Sequence, residues 1–230
     1  MKQFIIWISA IGYALWLCAA APVRSGDGDE EKKLVMANVR ASNEKIQSLT
    51  AKMKQRKISS FMEKAVTTKS DFYYKKPGMY VIAPSRDDEN KYIVTPKEIW
   101  IINKKNKTVT VTTDKEVDFS QYLMGFSDKE EALEALFDIR VEARQVSGKF
   151  GSYKMHLVPA KTSKLYDKLE KIIIYIRDDL WLPYGAELYE IDGDITIWEF
   201  NNIKINPKIK DDIFKQELPK GYTLKKYEKK

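Results

Sequence analysis

Over residues 33–54 the apolar positions recur at three- and four-residue intervals. Leu34, Val35, Ala37, Ala41, Ile46 and Leu49 are spaced between Lys, Arg and Glu. That period predicts a helix packing one face on a core or serving as a cover. From Ser59 onward the period falls to two. Strands are expected around 62–64 and over 69–75, 79–83, 92–95, 98–103 and 108–113. Turn residues separate them: Lys76-Pro77-Gly78, Pro84 to Asp88, and Asn103 to Asn106. A parallel crossover needs a dozen or more residues, so strands in such close succession form an antiparallel meander.

Residues 118–140 interrupt the alternation. Ser127 is placed as the N-cap of a helix, with acids in the first turn and Leu133, Leu136, Phe137 and Arg140 on one side. Phe119, Tyr122, Leu123, Met124 and Phe126 precede or open it and are strongly apolar. A second meander is expected over 153–159, 169–177, 182–191, 195–205 and 222–226, with Asp192-Gly193-Asp194 as a tight hairpin turn. On 195–200 the alternation puts Thr196, Trp198 and Phe200 on one face. The pattern predicts an α+β chain, mainly antiparallel β. A sheet curled around the helices buries one face of so many strands.

The first 21 residues follow a different rule. Lys2 precedes an apolar run from Phe4 to Leu17, then the small residues Cys18-Ala19-Ala20-Ala21. This is the order of a secretory signal peptide, with cleavage after Ala20 or later near Ser25. Two other readings share the pattern. The run is long enough for an uncleaved anchor, and Cys18 is a candidate acylated cysteine, although Leu17 is a large residue to precede one. The chain thus divides into a signal peptide (1–20), a polar linker (21–32) and one domain (33–230).

Composition narrows the function. Hydrophobic residues make up 43% and charged residues 32%, which supports a core and argues against a multi-span membrane protein. The net charge of +7 is spread through interleaved Lys and Asp/Glu, densest in the Lys-rich C-terminus. That tail reads as solvated or as a contact with an acidic membrane surface or partner. No nucleic-acid motif accompanies it. His156 is the single histidine and sits in an alternating strand, so neither a nitrogen/sulfur metal site nor a catalytic triad is expected. Asp178-Asp179 and Asp211-Asp212 read as turn residues, and Gly148-Lys-Phe-Gly151 is too short to be a phosphate loop. No enzymatic activity and no cofactor are expected. What stands out is aromatic bulk on strands: Phe72, Tyr74, Tyr80, Tyr92, Trp100, Tyr175, Tyr189, Trp198 and Phe200. Such side chains build an ordinary core or line a ligand cavity.

Three stretches carry a family resemblance. They are Asp71-Phe-Tyr-Tyr-Lys-Lys-Pro-Gly-Met-Tyr80 with Ala83-Pro84, then Tyr92-Ile-Val-Thr-Pro-Lys-Glu-Ile-Trp-Ile-Ile102, and Asp192-Gly-Asp-Ile-Thr-Ile-Trp-Glu-Phe-Asn-Asn-Ile-Lys-Ile-Asn206 followed by Ile213-Phe214 and Leu218-Pro-Lys-Gly-Tyr222. Their content and order resemble the bacterial outer-membrane lipoprotein carrier (LolA) family, over about 34–226.

The resemblance implies an incomplete, half-open β-barrel whose helices cover a concave apolar face. It implies a monomeric periplasmic carrier, a chaperone for acylated lipoproteins. The carrier takes cargo from an inner-membrane transporter and hands it to an outer-membrane receptor. Phe72, Tyr74, Tyr80, Trp100, Trp198 and Phe200 would line the lipid-binding cavity. Leu123, Phe126, Leu133 and Leu136 would belong to the lid helices. Lys76 matches a family Arg implicated in lid closure, and a Lys there lacks the guanidinium fork. An envelope sensing or interaction module on the same fold, held by an uncleaved signal segment, is the alternative.

Overall fold

A computed structural model describes residues 27–62, 64–113, 130–147 and 149–227. The expected signal peptide, the first half of the polar linker (21–26), and Leu123, Phe126 and Ser127 lie outside the described residues; the second half (27–32) is helical and not a linker. The first helix, α1, spans Asp27–Lys45. Thirteen strands follow: β1 (Ser48–Ile58), β2 (Val66–Lys75), β3 (Met79–Pro84), β4 (Asn90–Val94), β5 (Ile99–Asn103) and β6 (Thr108–Thr112), then β7 (Phe137–Val141), β8 (Gln145–Ser147), β9 (Phe150–Pro159), β10 (Leu169–Arg177), β11 (Leu182–Glu190), β12 (Ile195–Ile205) and β13 (Thr223–Tyr227). A short helix, α2 (Glu130–Leu136), runs into β7.

The strands form one sheet in the order β13-β6-β5-β4-β3-β2-β1-β12-β11-β10-β9-β7, with β8 also on β9. The two ends of this order do not pair, so the sheet is not closed. Both meanders are antiparallel, and the β1–β12 pairing joins them. In a meander, alternate hairpins lie at alternate ends of the sheet. The β1–β2, β3–β4, β5–β6, β9–β10 and β11–β12 connections therefore share one end, called here the hairpin end. The α1–β1 joint and the β2–β3, β4–β5 and β10–β11 turns share the other.

Several expectations needed correction. Residues 48–54 open the strand β1 rather than continue the helix, which ends at Lys45. Phe137 to Arg140 lie on β7, not on the helix before it. Residues 60–62 form a turn rather than a strand. β13 does not complete the second meander. It returns to the far edge and pairs with β6 in parallel, Thr223 opposite Thr108 and Tyr227 opposite Thr112. The chain between β12 and β13 is consequently a strap across one face of β1–β6.

That strap and the helices define the two faces. On the helix side, Val35 and Leu133 pack with Phe137, Val141, Tyr153, Met155, Leu157, Ile172, Ile174, Ala186 and Leu188. Lys32 and Glu134 join α1 to α2 at 2.8 Å. On the strap side, Phe214, Ile209, Ile213 and Tyr222 pack with Val81, Ile93, Ile102, Val109 and Val111. A sheet apolar on both faces needs a cover on each. Residues 206–222 supply the second cover for the first meander. Gly193, at φ 88°, takes the left-handed position the β11–β12 turn requires.

Candidate functional site

Residues directly opposite in an antiparallel ladder point to the same face. Two rows cross the first meander on the helix side. One is Leu49, Tyr74, Tyr80, Val94 and Ile99; the other is Ala51, Phe72, Ile82, Tyr92 and Ile101. Between them, on the strap side, runs Tyr73, Val81, Ile93, Trp100 and Val111. Phe200 joins the first set through Met53, and Trp198 through Gln55.

The sequence-predicted cavity residues thus separate. Phe72, Tyr74, Tyr80 and Phe200 come together on the helix side with Met53, Val94 and Leu182. Phe72 stacks on Tyr80 with ring centroids 6.0 Å apart, and meets Phe200 edge-on at 6.1 Å. Trp198 packs against this cluster and against the α1–α2 cluster, so it bridges the two halves of the wall. Trp100 is placed elsewhere. One residue out of phase with Ile99 and Ile101, it faces the strap and packs among Val81, Ile93, Ile213 and Tyr222. Its indole N–H donates to Glu98 Oε1 at 2.7 Å. The expectation that Trp100 shares a cavity with Phe72 is corrected by that register.

Burial divides the helix-side wall again. Phe72, Tyr74, Tyr80 and Phe200 are 2–6% exposed and form its packed floor. Ile82, Tyr92, Ile99, Ile101 and Trp198 are only half-buried. These isoleucines were not singled out from the sequence; their signal was the alternation 99/101 against 100/102, whose phase sequence alone leaves open. Among the described residues, Ser70 carries a buried hydroxyl without a hydrogen-bond partner, opposite Met53 on the same wall.

The covers are held by specific contacts. Leu133 is buried in the α1–α2 cluster and Leu136 packs on it. Lys76 Nζ donates to the carbonyls of Asn43 at 2.7 Å and Glu44 at 3.2 Å. A cation there satisfies carbonyls that a helix C-terminus leaves open. Asn206 holds the joint beyond it: Nδ2 donates to the Lys45 carbonyl at 3.1 Å, and Oδ1 accepts the Gln47 and Ser48 N–H groups at 2.7 and 3.2 Å. Lys33, Ala37, Arg40, Ala41 and Glu44 line an open surface depression on another face of α1.

The remaining groups face away from the wall. His156 Nε2 lies 2.6 Å from Glu142 Oε1, and that contact holds the Glu142 carboxyl below its usual range. Tyr175 and Tyr189 both donate to Glu187. Beside that carboxylate, the Tyr189 phenol is pushed up to about 12. Among the described residues, no group of three or more His, Cys, Asp or Glu is placed to hold a metal, and no helix is long and apolar enough to cross a membrane.

Comparison with known proteins adds the lineage. The fold is similar to that of an uncharacterized conserved protein from Thermus thermophilus, 10% identical, at a TM-score of 0.56 with 85% of this chain and 99% of that one covered. A DUF1329 family protein from Desulfovibrio piger is 14% identical, at a TM-score of 0.48 with 80% and 97% covered. A LolA superfamily protein from Nitrosomonas europaea is 9% identical, at a TM-score of 0.41 with 80% and 97% covered. Among curated proteins nothing matches. The family model described as outer membrane lipoprotein carrier protein LolA matches residues 44–217. The match runs from the last turn of α1 through β12 and into the strap, and stops short of β13. The chain therefore belongs to the outer membrane lipoprotein carrier protein LolA family.

Proposed function

We propose that this protein is a periplasmic carrier that binds the acyl chains of lipoproteins and moves them from the inner to the outer membrane. The observation that carries this reading is the half-buried apolar strip Ile82, Tyr92, Ile99, Ile101 and Trp198, on the helix side of an open sheet in a LolA-family chain. Energetics favour an acyl chain as the guest. Burying one methylene is worth about 0.8 kcal/mol, so a chain of about fifteen is worth about 12 kcal/mol. Exposed to water, such a chain crosses an aqueous space too rarely to be useful. A wall that shields it removes that barrier.

In this reading the packed floor of Phe72, Tyr74, Tyr80 and Phe200 holds the strands in shape, and the half-buried strip touches the guest. Leu133 and Leu136 belong to the cover, along with Leu123 and Phe126. Lys76 fixes the end of α1, and movement of the helices opens the wall. Donor and receptor are an inner-membrane transporter and an outer-membrane receptor, and the carrier acts as a monomer. It is a binder with no catalytic residue and no cofactor, exported by its leader. Native mass spectrometry of protein purified from its own envelope tests this. Co-purified acylated species are expected; protein that is lipid-free and also refuses added lipoprotein contradicts it.

A further inference from the structure

Two exposed features lie at the same end of the sheet. At the β1–β2 turn, Phe61 is 87% exposed and Met62 54%. Ile191, 58% exposed, sits on the neighbouring β11–β12 turn. Asp194 clamps the two turns together: it accepts from the Ser59 hydroxyl at 2.8 Å and the Ser60 N–H at 3.0 Å, and pairs with Lys57 at 3.3 Å. These apolar side chains therefore project from a braced tip.

Farther along the same end, the β5–β6 turn brings Lys104, Lys105 and Lys107 beside the strand β13. The Thr223 N–H donates to the Lys107 carbonyl at 2.9 Å. Lys220 thereby joins lysines more than a hundred positions earlier in the chain, while Lys225 and Lys226, opposite Thr110 and Val111, lie farther along β13 towards the other end. All six are exposed. Lys104 is paired with Asp87, and Arg86 with Asp88; Glu89 is the further acid of that neighbouring loop. Among the described residues, Lys105, Lys107, Lys220, Lys225 and Lys226 form no ion pair. Lys91, half-buried beside Lys104, is held below the usual lysine range by burial and then by that neighbouring charge.

We propose that the hairpin end is a membrane-docking end. Phe61 and Met62 enter the lipid interface, and Lys220 and the lysines of the β5–β6 turn meet anionic headgroups. Neither signal alone anchors a protein well, since a small apolar tip and a modest basic patch each bind weakly. Together on one rigid end they give reversible docking. The lysines complement an anionic surface in sign, which favours an anionic lipid surface over a neutral one. The proposal is independent of the cargo reading, and its test uses no lipoprotein.

The test is co-sedimentation of the full chain with vesicles of phosphatidylcholine alone, or with about a third phosphatidylglycerol. The proteins compared are the parent, Phe61→Ser/Met62→Ser, Lys105→Glu/Lys220→Glu, and a control of equal charge change at the opposite end, Lys97→Glu/Lys149→Glu. Binding to anionic vesicles is expected to fall about tenfold for the first two variants and less than twofold for the control. It is also expected to fall steeply with salt. All sites are exposed, and unchanged thermal melting of each variant shows that folding is not the cause. Residues 1–21 are common to every protein compared. Binding through them leaves the variants equal to the parent and overturns the proposal. So does a parent that binds neither vesicle, or a control that loses as much as the test pair.

Discussion

Asn206 and Gln47 lie 159 positions apart, and the side-chain oxygen of the first accepts the backbone N–H of the second at 2.7 Å. With the Lys45 carbonyl and the Ser48 N–H also held, one amide side chain fastens the end of α1 to the start of β1 and to the strap. Asn206 itself has φ 54°, a conformation Asn tolerates better than most residues. Asn206→Ala loses these bonds and adds backbone strain, for a cost of about 2 kcal/mol. Asn206→Gly loses the bonds but not the conformation and costs about 1 kcal/mol less. Urea unfolding of the two variants checks the order.

Lys76→Ala uncaps the last turn of α1. Two carbonyls return to water, with a loss of about 1 kcal/mol in stability. The more telling readout is hydrogen exchange: the amides of residues 40–47 are expected to exchange faster, while those of β10 and β11 stay unchanged. Lys76→Arg keeps the donors and is expected to restore protection.

The floor and the strip of the helix-side wall respond differently. Phe72→Ala removes a ring that is 2% exposed and touches two aromatic partners, at a cost of about 3–5 kcal/mol. Ile101→Ser, at a half-buried position, costs about 1–2 kcal/mol and is expected to lower cargo retention more than Phe72→Tyr does. Chemical denaturation and lipid retention, measured on the same preparations, separate the two roles.

Acid stability depends in part on Asp194. The Ser59 hydroxyl, the Ser60 N–H and Lys57 hold its carboxyl below the usual carboxylate range. A depressed folded value stabilises above the unfolded value of about 3.9 and loses that stabilisation as pH falls through the folded one. Asp194→Ala is therefore less stable than the parent at pH 7, and the difference narrows below pH 4. Denaturation between pH 7 and 2 measures the convergence.

Much of this architecture was legible in the sequence, and the misses have definite physical causes. The hairpins at Asn103 to Asn106 and Asp192 to Asp194 were readable because turn chemistry is local. The strand β1 was hidden because Ile46, Leu49 and Met53 satisfy a helical period while Leu49, Ala51 and Met53 satisfy a strand one. Leu133, Leu136, Phe137 and Arg140 posed the same ambiguity, and Phe137, Ile139 and Val141 resolved it as strand. The aromatic strands pointed to side chains that gather in one cluster, Phe72, Tyr74, Tyr80 and Phe200, but not to the side on which Trp100 falls. A one-residue phase exchanges faces, and it depends on how β5 pairs with β4. The strap and the parallel return of β13 rest on contacts about a hundred positions apart, which no local pattern encodes.

The wall's allegiance to a guest is tested most directly by photo-crosslinking in cells from two adjacent positions. A photo-reactive residue at Ile101 faces the helix side; one at Trp100 faces the strap. Acylated species captured from position 101 and not from position 100 are the predicted result. Capture from 100 but not 101, or no acylated species from either, contradicts the assignment of that face to lipid.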